Sequence, residues 1–222
     1  HLGVQNGAEV LLMPEEEFCM QNFISKDTML KICSASHFTD RDFLVSTGVE
    51  NGDDYYYIPK KFTGPSKEYM DRVRSFATVN WEECESFEEM DRDNFPLMRL
   101  FGTRGEMETL KARILSIVDV NCVVLHDVAH EGMFVLLITA KGVDKGNSLK
   151  RLIKHNNWTG SVIGCGDDLN DISLFDVVDI SIGMENGHAD LLKKATIIAK
   201  PAHEMGIIAA LDQAIGMIND KK

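Results

Sequence analysis

The stretch SVIGCGDDLNDISLF (161–175) constrains this chain more than any other. A short apolar run leads into Gly164, Cys165 and Gly166, and then Asp167, Asp168, Asn170 and Asp171 crowd together. Continuous apolar runs of this kind mark a strand buried on both faces of a parallel sheet. Gly166 lets the backbone turn sharply where the strand ends. Beyond it, Leu169, Ile172 and Phe175 recur at helical spacing. The acidic cluster therefore sits on a strand-to-helix turn at the carboxyl end of a strand, where open α/β sheets bind ligands. Clustered oxygen ligands at such a place suit a hard cation such as magnesium. Asp and Asn also start ordinary helices and complement their dipoles, so this turn alone reads equally well as a plain capped helix.

A second stretch shifts the balance. The apolar run MFVLLITA (133–140) leads into KGVDKGNSLKRLIKH (141–155). Leu149, Leu152 and Ile153 mark an amphipathic helix, with Asp144 as its cap and Lys145 in its first turn. A cation at a helix N-terminus opposes the dipole, at a cost of about 0.3–1 kcal/mol. Local rules broken without structural gain mark functional sites. For an arbitrary lysine the bland reading is a flexible stem reaching solvent. Here the Lys-Gly helix start is followed, one helix later, by a strand ending in GDxxND, so both fall on one edge of the sheet. A cation, carboxylates and backbone N–H groups then converge as a phosphoryl group requires.

The order strand, GVDKG helix, strand, GDDLND helix, then VDISIGMENGHADLLKKATIIA (178–199), resembles the C-terminal half of a haloacid dehalogenase (HAD) superfamily phosphatase. It is most similar to the Cof-like class, which carries a large α/β cap, and NGAEV (6–10) matches the strand turn that precedes the cap there. P-type ATPases share GDxxND; the GVDKG spacing, the loop from Gly183 to Asn186 and the cap-sized insert favour the phosphatase class. The resemblance implies an α/β fold: a Rossmann-like HAD core, three-layered with a mostly parallel sheet, and an inserted α/β cap domain. It divides the chain into a first core portion (1–25), a cap (26–132) and a second core portion (133–222).

The resemblance also implies roles. Lys145 matches the lysine that holds the nucleophile and the phosphoryl oxygens. Asp167 matches the carboxylate that ligates Mg²⁺, and Asp171 the acid that orients the lysine and the metal's waters, which makes Asp167 and Asp171 the metal pair. Asn170 matches an amide near the phosphate, and Asn186 and Asn6 are carried over as phosphate-side residues. Asp168 occupies a variable position and receives no role. The implied activity is Mg²⁺-dependent hydrolysis of a small phosphorylated metabolite such as a sugar phosphate, through an aspartyl-phosphate. The alternatives are a phosphomutase and a catalytically inactive HAD-like module that binds a ligand or a protein.

One departure stands out. The family's nucleophile lies in a D-x-D-G-[TS] motif at the end of an apolar strand, and this sequence has none. Asp91-Arg92-Asp93 and Asp40-Arg41-Asp42 have the spacing but neither the strand nor the Gly-Thr, and Asp119-Val120-Asn121 lacks the second acid. The expectation is an N-terminally truncated core, with the nucleophile on residues that precede His1 in the parent protein and the 222-residue chain inactive alone.

Composition fits a folded cytoplasmic enzyme. Apolar content of 44% and charged content of 26% are both ordinary for a globular protein. A net charge of −12 argues against nucleic acid or an anionic membrane as a partner, so a phosphorylated substrate has to be attracted locally. The five cysteines are odd in number and form no C-x-x-C pair, which points to free thiols in a reducing compartment. Cys165 sits beside carboxylates, which raise a thiol pKa, and reads as packing. No apolar run approaches the roughly 20 residues of a membrane span. The expected assembly is a monomer or homodimer.

Within the insert, DTMLKICSA reads as a helix, and DFLVSTGV and DYYYIPKKF as strands around a turn at 50–54. SKEYMDRVRSFATV is helical with Ser66 as its cap; PLMRLFGT, RGEMETLKARILSI and CVVLHDVAH read as strand, helix and strand. Two antiparallel strands turning at Glu131-Gly132 finish the cap. His126 and His130 fall on a strand, where residues four apart lie too far apart for one ion. The acidic run 81–93 reads as solvated surface. Arg99 and Arg104 are the cap's candidates for contacting an anionic group.

Overall fold

The structure, a computed structural model, describes residues 1–76, 79–127 and 130–220. The chain divides into two compact units, His1–Val143 and Asp144–Lys222.

The first unit opens with three short antiparallel strands, β1 (Leu2–Val4), β2 (Glu9–Leu12) and β3 (Glu17–Gln21). Strand β4 (Ile24–Ser25) leads into α1 (Lys26–Ala35), whose cap is Ser25: its hydroxyl accepts the Thr28 N–H. Then come β5 (Leu44–Ser46), β6 (Tyr55–Tyr57), α2 (Gly64–Phe76), β7 (Trp81–Glu83) and β8 (Asn94–Phe95), which pairs with β4. Strand β9 (Met98–Gly102), helix α3 (Arg104–Ile117) and strands β10 (Val120–His126) and β11 (Phe134–Ala140) complete the unit. Six of these strands form one sheet in the order β10-β11-β9-β5-β6-β7.

Alternation along the strands gives this sheet two apolar faces. Leu100 opposes Leu136 and Met98 opposes Ile138; all four are fully buried, in one core with Met29 and Ile32 of α1 and Met107 and Ile114 of α3. On the other face Leu44, Tyr55, Tyr57 and Phe101 cluster with Tyr69 and Met70 of α2. The three tyrosines at 55–57 are thus packing residues: Tyr55 and Tyr57 are buried in this second cluster, and Tyr56 packs against the first. Helix α3 starts on a capping box, Thr103 accepting from the Glu106 N–H and Glu106 accepting from the Thr103 N–H.

Two expectations are corrected. Helix α2 begins at Gly64, so Ser66 lies inside the first turn, where its Oγ accepts the Thr63 N–H at 3.2 Å instead of capping the helix. Pro65 explains the earlier start, since its fixed φ suits a first turn. The antiparallel pair expected to finish the cap is there, Phe134–Ala140 pairing with β10 along its whole length. The boundary expected after residue 132 differs, because the strand also pairs with β9 from Phe134 to Ile138 and the second unit begins at Asp144. Residues 1–25 likewise group with the first unit. Ala77, Thr78, Val128 and Ala129, which the expected helix and strand included, lie outside the described residues.

The second unit is a parallel α/β layer. Helix α4 (Lys145–His155) precedes β12 (Ile163–Gly166); a tight turn at Leu169–Asp171 runs into the short α5 (Ile172–Phe175). Strand β13 (Ile180–Met184), α6 (Ala189–Leu192), β14 (Ile197–Ala199) and α7 (Gly206–Asn219) follow. The sheet order is β12-β13-β14, every pair parallel. Ile180, Ile182, Ile197 and Ala199 pack on Ala210 and Ala214 of α7, whose small side chains let the helix lie close to the sheet. Ile182 is fully buried on the middle strand. Replacing it by alanine is expected to cost about 2–5 kcal/mol, read as a lowered urea midpoint when Trp158 fluorescence follows this unit.

Candidate active site

Strands β12 and β13 run parallel with Gly166 opposite Gly183, so the turn after one and the loop after the other leave from the same sheet edge. At that edge the chain folds back on itself. Asp171 comes to lie over the strand end: a Cβ on residue 166 would stand 2.5 Å from the Asp171 Cβ, so only glycine leaves the carboxylate room. Asp171 is 4% exposed. Its Oδ2 accepts the N–H of Asp167 at 3.1 Å and of Asp168 at 3.3 Å, tying the turn to the acid that ends it. Asp168 caps the same turn, with Oδ1 accepting the Leu169 N–H at 2.7 Å. Burial pushes the Asp168 carboxyl up, and the charge of Asp167 adds to this against the Leu169 N–H.

Helix α4 supplies the cation. Asp144 caps it, accepting the Asn147 N–H at 2.7 Å, and Lys145 is its first residue. Gly146 decides where the helix lies: a Cβ there would meet the Ser173 carbonyl oxygen at 1.9 Å. Without one, α4 closes onto α5 and the Gly146 N–H donates to Ser173 Oγ at 3.2 Å. This contact brings Lys145 Nζ to 2.5 Å from Asp171 Oδ1. The side chains are unequally exposed, 37% for Lys145 and 6% for Asp171. The carboxylate is an internal anchor and the ammonium keeps further N–H donors for something outside.

The loop after β13 closes the arrangement. The His188 N–H donates to the Asp167 carbonyl at 2.7 Å, and the Gly187 N–H to the Met184 carbonyl at 2.7 Å. His188 caps α6 through Nδ1, which accepts the Asp190 N–H at 3.2 Å. Asp167 is thus held by its backbone on both sides while its side chain is exposed.

Of the residues marked in the sequence, Lys145, Asp167 and Asp171 are brought together, with Asn170 in the same tight turn and Asn186 exposed on the neighbouring loop. Asn6 lies in the first unit, in the turn after β1, with a left-handed backbone (φ 57°). Asp171 Oδ1 takes Lys145 and Oδ2 takes two backbone N–H groups, whereas the Asp167 side chain is exposed. Among the described residues no three His, Cys, Asp or Glu side chains converge as a metal cage, the histidines at 126 and 130 included. Desolvation pushes the Cys165 thiol up, but the residue is exposed and belongs to no core cluster, so the packing expectation is corrected. Gly146, Gly166 and His188 were not singled out from sequence; only the proximity of the two glycines to the charged motifs could have drawn attention to them.

The family model of the haloacid dehalogenase-like hydrolases matches residues 2–211. The chain belongs to that family. Phosphoglycolate phosphatase 2 of Saccharolobus solfataricus is 30% identical over 79 residues, which are 36% of this chain and 34% of that protein. The chain thus matches about a third of this curated relative's length. A haloacid dehalogenase-like hydrolase from Bacteroides thetaiotaomicron superposes with a TM-score of 0.71 at 18% identity, covering 94% of this chain and 74% of the other. The HAD subclass IIB sugar phosphatase BT4131 gives 0.70 at 19% identity, covering 94% and 73%. These likenesses establish the α/β fold of a HAD-like hydrolase.

The close approach at Gly146 yields a test. In an ordinary helix Gly→Ala stabilises by about 1 kcal/mol. Gly146→Ala is expected to reverse that sign, losing more than about 1 kcal/mol as overpacking does, with urea unfolding as the measurement.

Proposed function

We propose that this chain carries the phosphoryl-binding residues of a Mg²⁺-dependent phosphatase acting on a small phosphorylated metabolite, with a sugar phosphate or similar phosphomonoester favoured. The observation that carries this reading is the Lys145–Asp171 pair, 2.5 Å apart, beside the exposed carboxylate of Asp167. Asp171 pins the lysine stem, so the ammonium points at a fixed place and pays little ordering entropy when a phosphoryl oxygen arrives. The N–H donors left on Lys145 then neutralise charge on the equatorial oxygens of the transferring group.

Magnesium fits this donor set as a partly protein-held ion. It is commonly bound through one or two carboxylates with waters and substrate phosphate as the other ligands, and Asp167 offers one such carboxylate. When bound, the ion would polarise a phosphoryl oxygen and offset its negative charge. The attacking group is assigned to none of residues 1–222. That same fact favours the second reading, a HAD-like module that binds a phosphorylated ligand or a protein without turning it over. The names of the relatives, phosphoglycolate phosphatase and sugar phosphatase, support the phosphatase reading.

A cytoplasmic location and a monomeric or homodimeric state belong to the same reading. No helix among the described residues is long and apolar enough to cross a membrane.

The test uses the chain together with any residues that its gene encodes upstream. Hydrolysis of an aryl phosphate with magnesium is expected, falling roughly a hundredfold or more in Lys145→Ala and in Asp167→Ala, as loss of a preorganised charge does. Undiminished turnover in either variant rejects these roles. Binding of inorganic phosphate without any turnover favours the module.

A further inference from the structure

A cavity of about 420 Å³ opens in the first unit between the end of α1 and one face of α3. That volume lies in the range of small-molecule sites. Ala35, Phe38 and Leu110 give it an apolar wall, and His37, Glu106 and Arg113 are the charged or ionisable groups on it. Gly105, Thr109 and Arg113 line it at four-residue spacing, so α3 turns one stripe toward it. Every lining residue belongs to the first unit, whereas Lys145, Asp167 and Asp171 belong to the second.

The charges around this cavity are unequally committed. Glu106 is already spent within the protein: Oε1 takes the Arg41 guanidinium at 2.6 Å, and Oε2 takes the Thr103 N–H at 2.8 Å and its hydroxyl at 2.9 Å. Arg113 donates from Nη1 to the Ala35 carbonyl at 3.1 Å, closing the end of α1. Among the described residues, the ion pairs made by α3 are Glu106 with Arg41 and Lys111 with Glu108, and Arg113 is in neither. A guanidinium carries five N–H donors in a fixed fork, so Arg113 keeps donors for a guest. His37 adds a ring N–H on the same wall. The uncommitted polarity is therefore donor and cationic, in a chain whose net charge is −12.

Gly105 is an independent sign. It is the second residue of α3, and among the described residues nothing lies within 4 Å of where its Cβ would stand. Its φ is not in the left-handed region either. Neither crowding nor backbone conformation asks for glycine here, although glycine is a poor helix former. A local rule broken without structural gain marks a functional place, and the missing side chain leaves the stripe hollow. Beside it stands the ring of Phe38, backed by the Arg41 guanidinium 4.3 Å from its centre.

We propose that this cavity binds a small aromatic carboxylate, with its ring against Phe38 and Leu110 over the space left by Gly105 and its carboxylate on the Arg113 fork. A planar carboxylate meets a guanidinium in two parallel hydrogen bonds, and an aromatic ring suits the apolar wall. A cation is repelled by Arg113, and a bare anion leaves that wall wet. The site does not depend on the phosphatase reading.

The test is a saturation-transfer NMR titration of the 222-residue chain with phenylacetate. Acetate and 2-phenylethylamine are the controls for the charge alone and for the ring with the opposite charge. A saturable response to phenylacetate, and to neither control, is expected. It should weaken about tenfold or more in Arg113→Met, as loss of a hydrogen bond to a charged group does, and disappear in Gly105→Leu, which fills the hollow with a better helix former. It should persist in Lys145→Ala, which removes the cation of the candidate active site. Should Arg113→Met fail to fold by circular dichroism, Gly105→Leu decides. No saturable phenylacetate response, an equal response to either control, or a response that survives the folded variants overturns the site. Loss of the response in Lys145→Ala overturns it as well, by placing the carboxylate at the second unit.

Discussion

Lys145 opens helix α4 before β12 and Asp171 ends the tight turn after it, and each fixes the other. The acid is nearly sealed from solvent at 4% exposure, where an unpaired carboxylate is costly. It is tolerated because an ammonium and two backbone N–H groups converge on it. Two glycines make that convergence possible, Gly166 by leaving room above the strand end and Gly146 by letting α4 meet the Ser173 backbone. The exposed Asp167 then stands beside a cation that is already in place. Burial on one side and openness on the other distinguish the surroundings of two carboxylates four residues apart.

The first unit solves a different problem. Its six-stranded sheet buries both faces, one under α1 and α3 and the other against α2. Met98, Leu100, Leu136 and Ile138 make the first face dry and fully packed. Among the described residues, buried polar atoms without a hydrogen-bond partner concentrate instead around the β5–β6 hairpin. Buried unsatisfied groups each cost about 1–3 kcal/mol, so their concentration in one place marks where this unit gives up stability.

Much of the second unit was legible because its motifs are local. The apolar run before Gly166, the acids after it and the Asp144 cap each fall within a few residues, and the structure shows the strand, turn and helix start there. The role of Asp171 was legible only in part. Its charge is plain in the sequence, whereas its burial depends on a glycine five residues earlier and on a helix start 26 residues away. The run 133–140 was readable as a strand, but an apolar pattern does not state which sheet takes it, and β11 joined the six-stranded one. Ser66 failed as a cap because the Gly-Pro pair before it starts the helix earlier. The burial of Glu9 gave no signal at all, since a glutamate in NGAEV looks like the outward-facing member of an alternating strand.

The pairing of Lys145 with Asp171 is open to direct measurement by NMR of the lysine ammonium. With ¹⁵N-labelled lysine, the Lys145 Nζ protons are expected to exchange slowly and to show a through-space contact to the Asp171 Cβ protons, both lost in Asp171→Asn. An ammonium that exchanges as fast as those of the exposed surface lysines, unchanged by that substitution, would contradict the account.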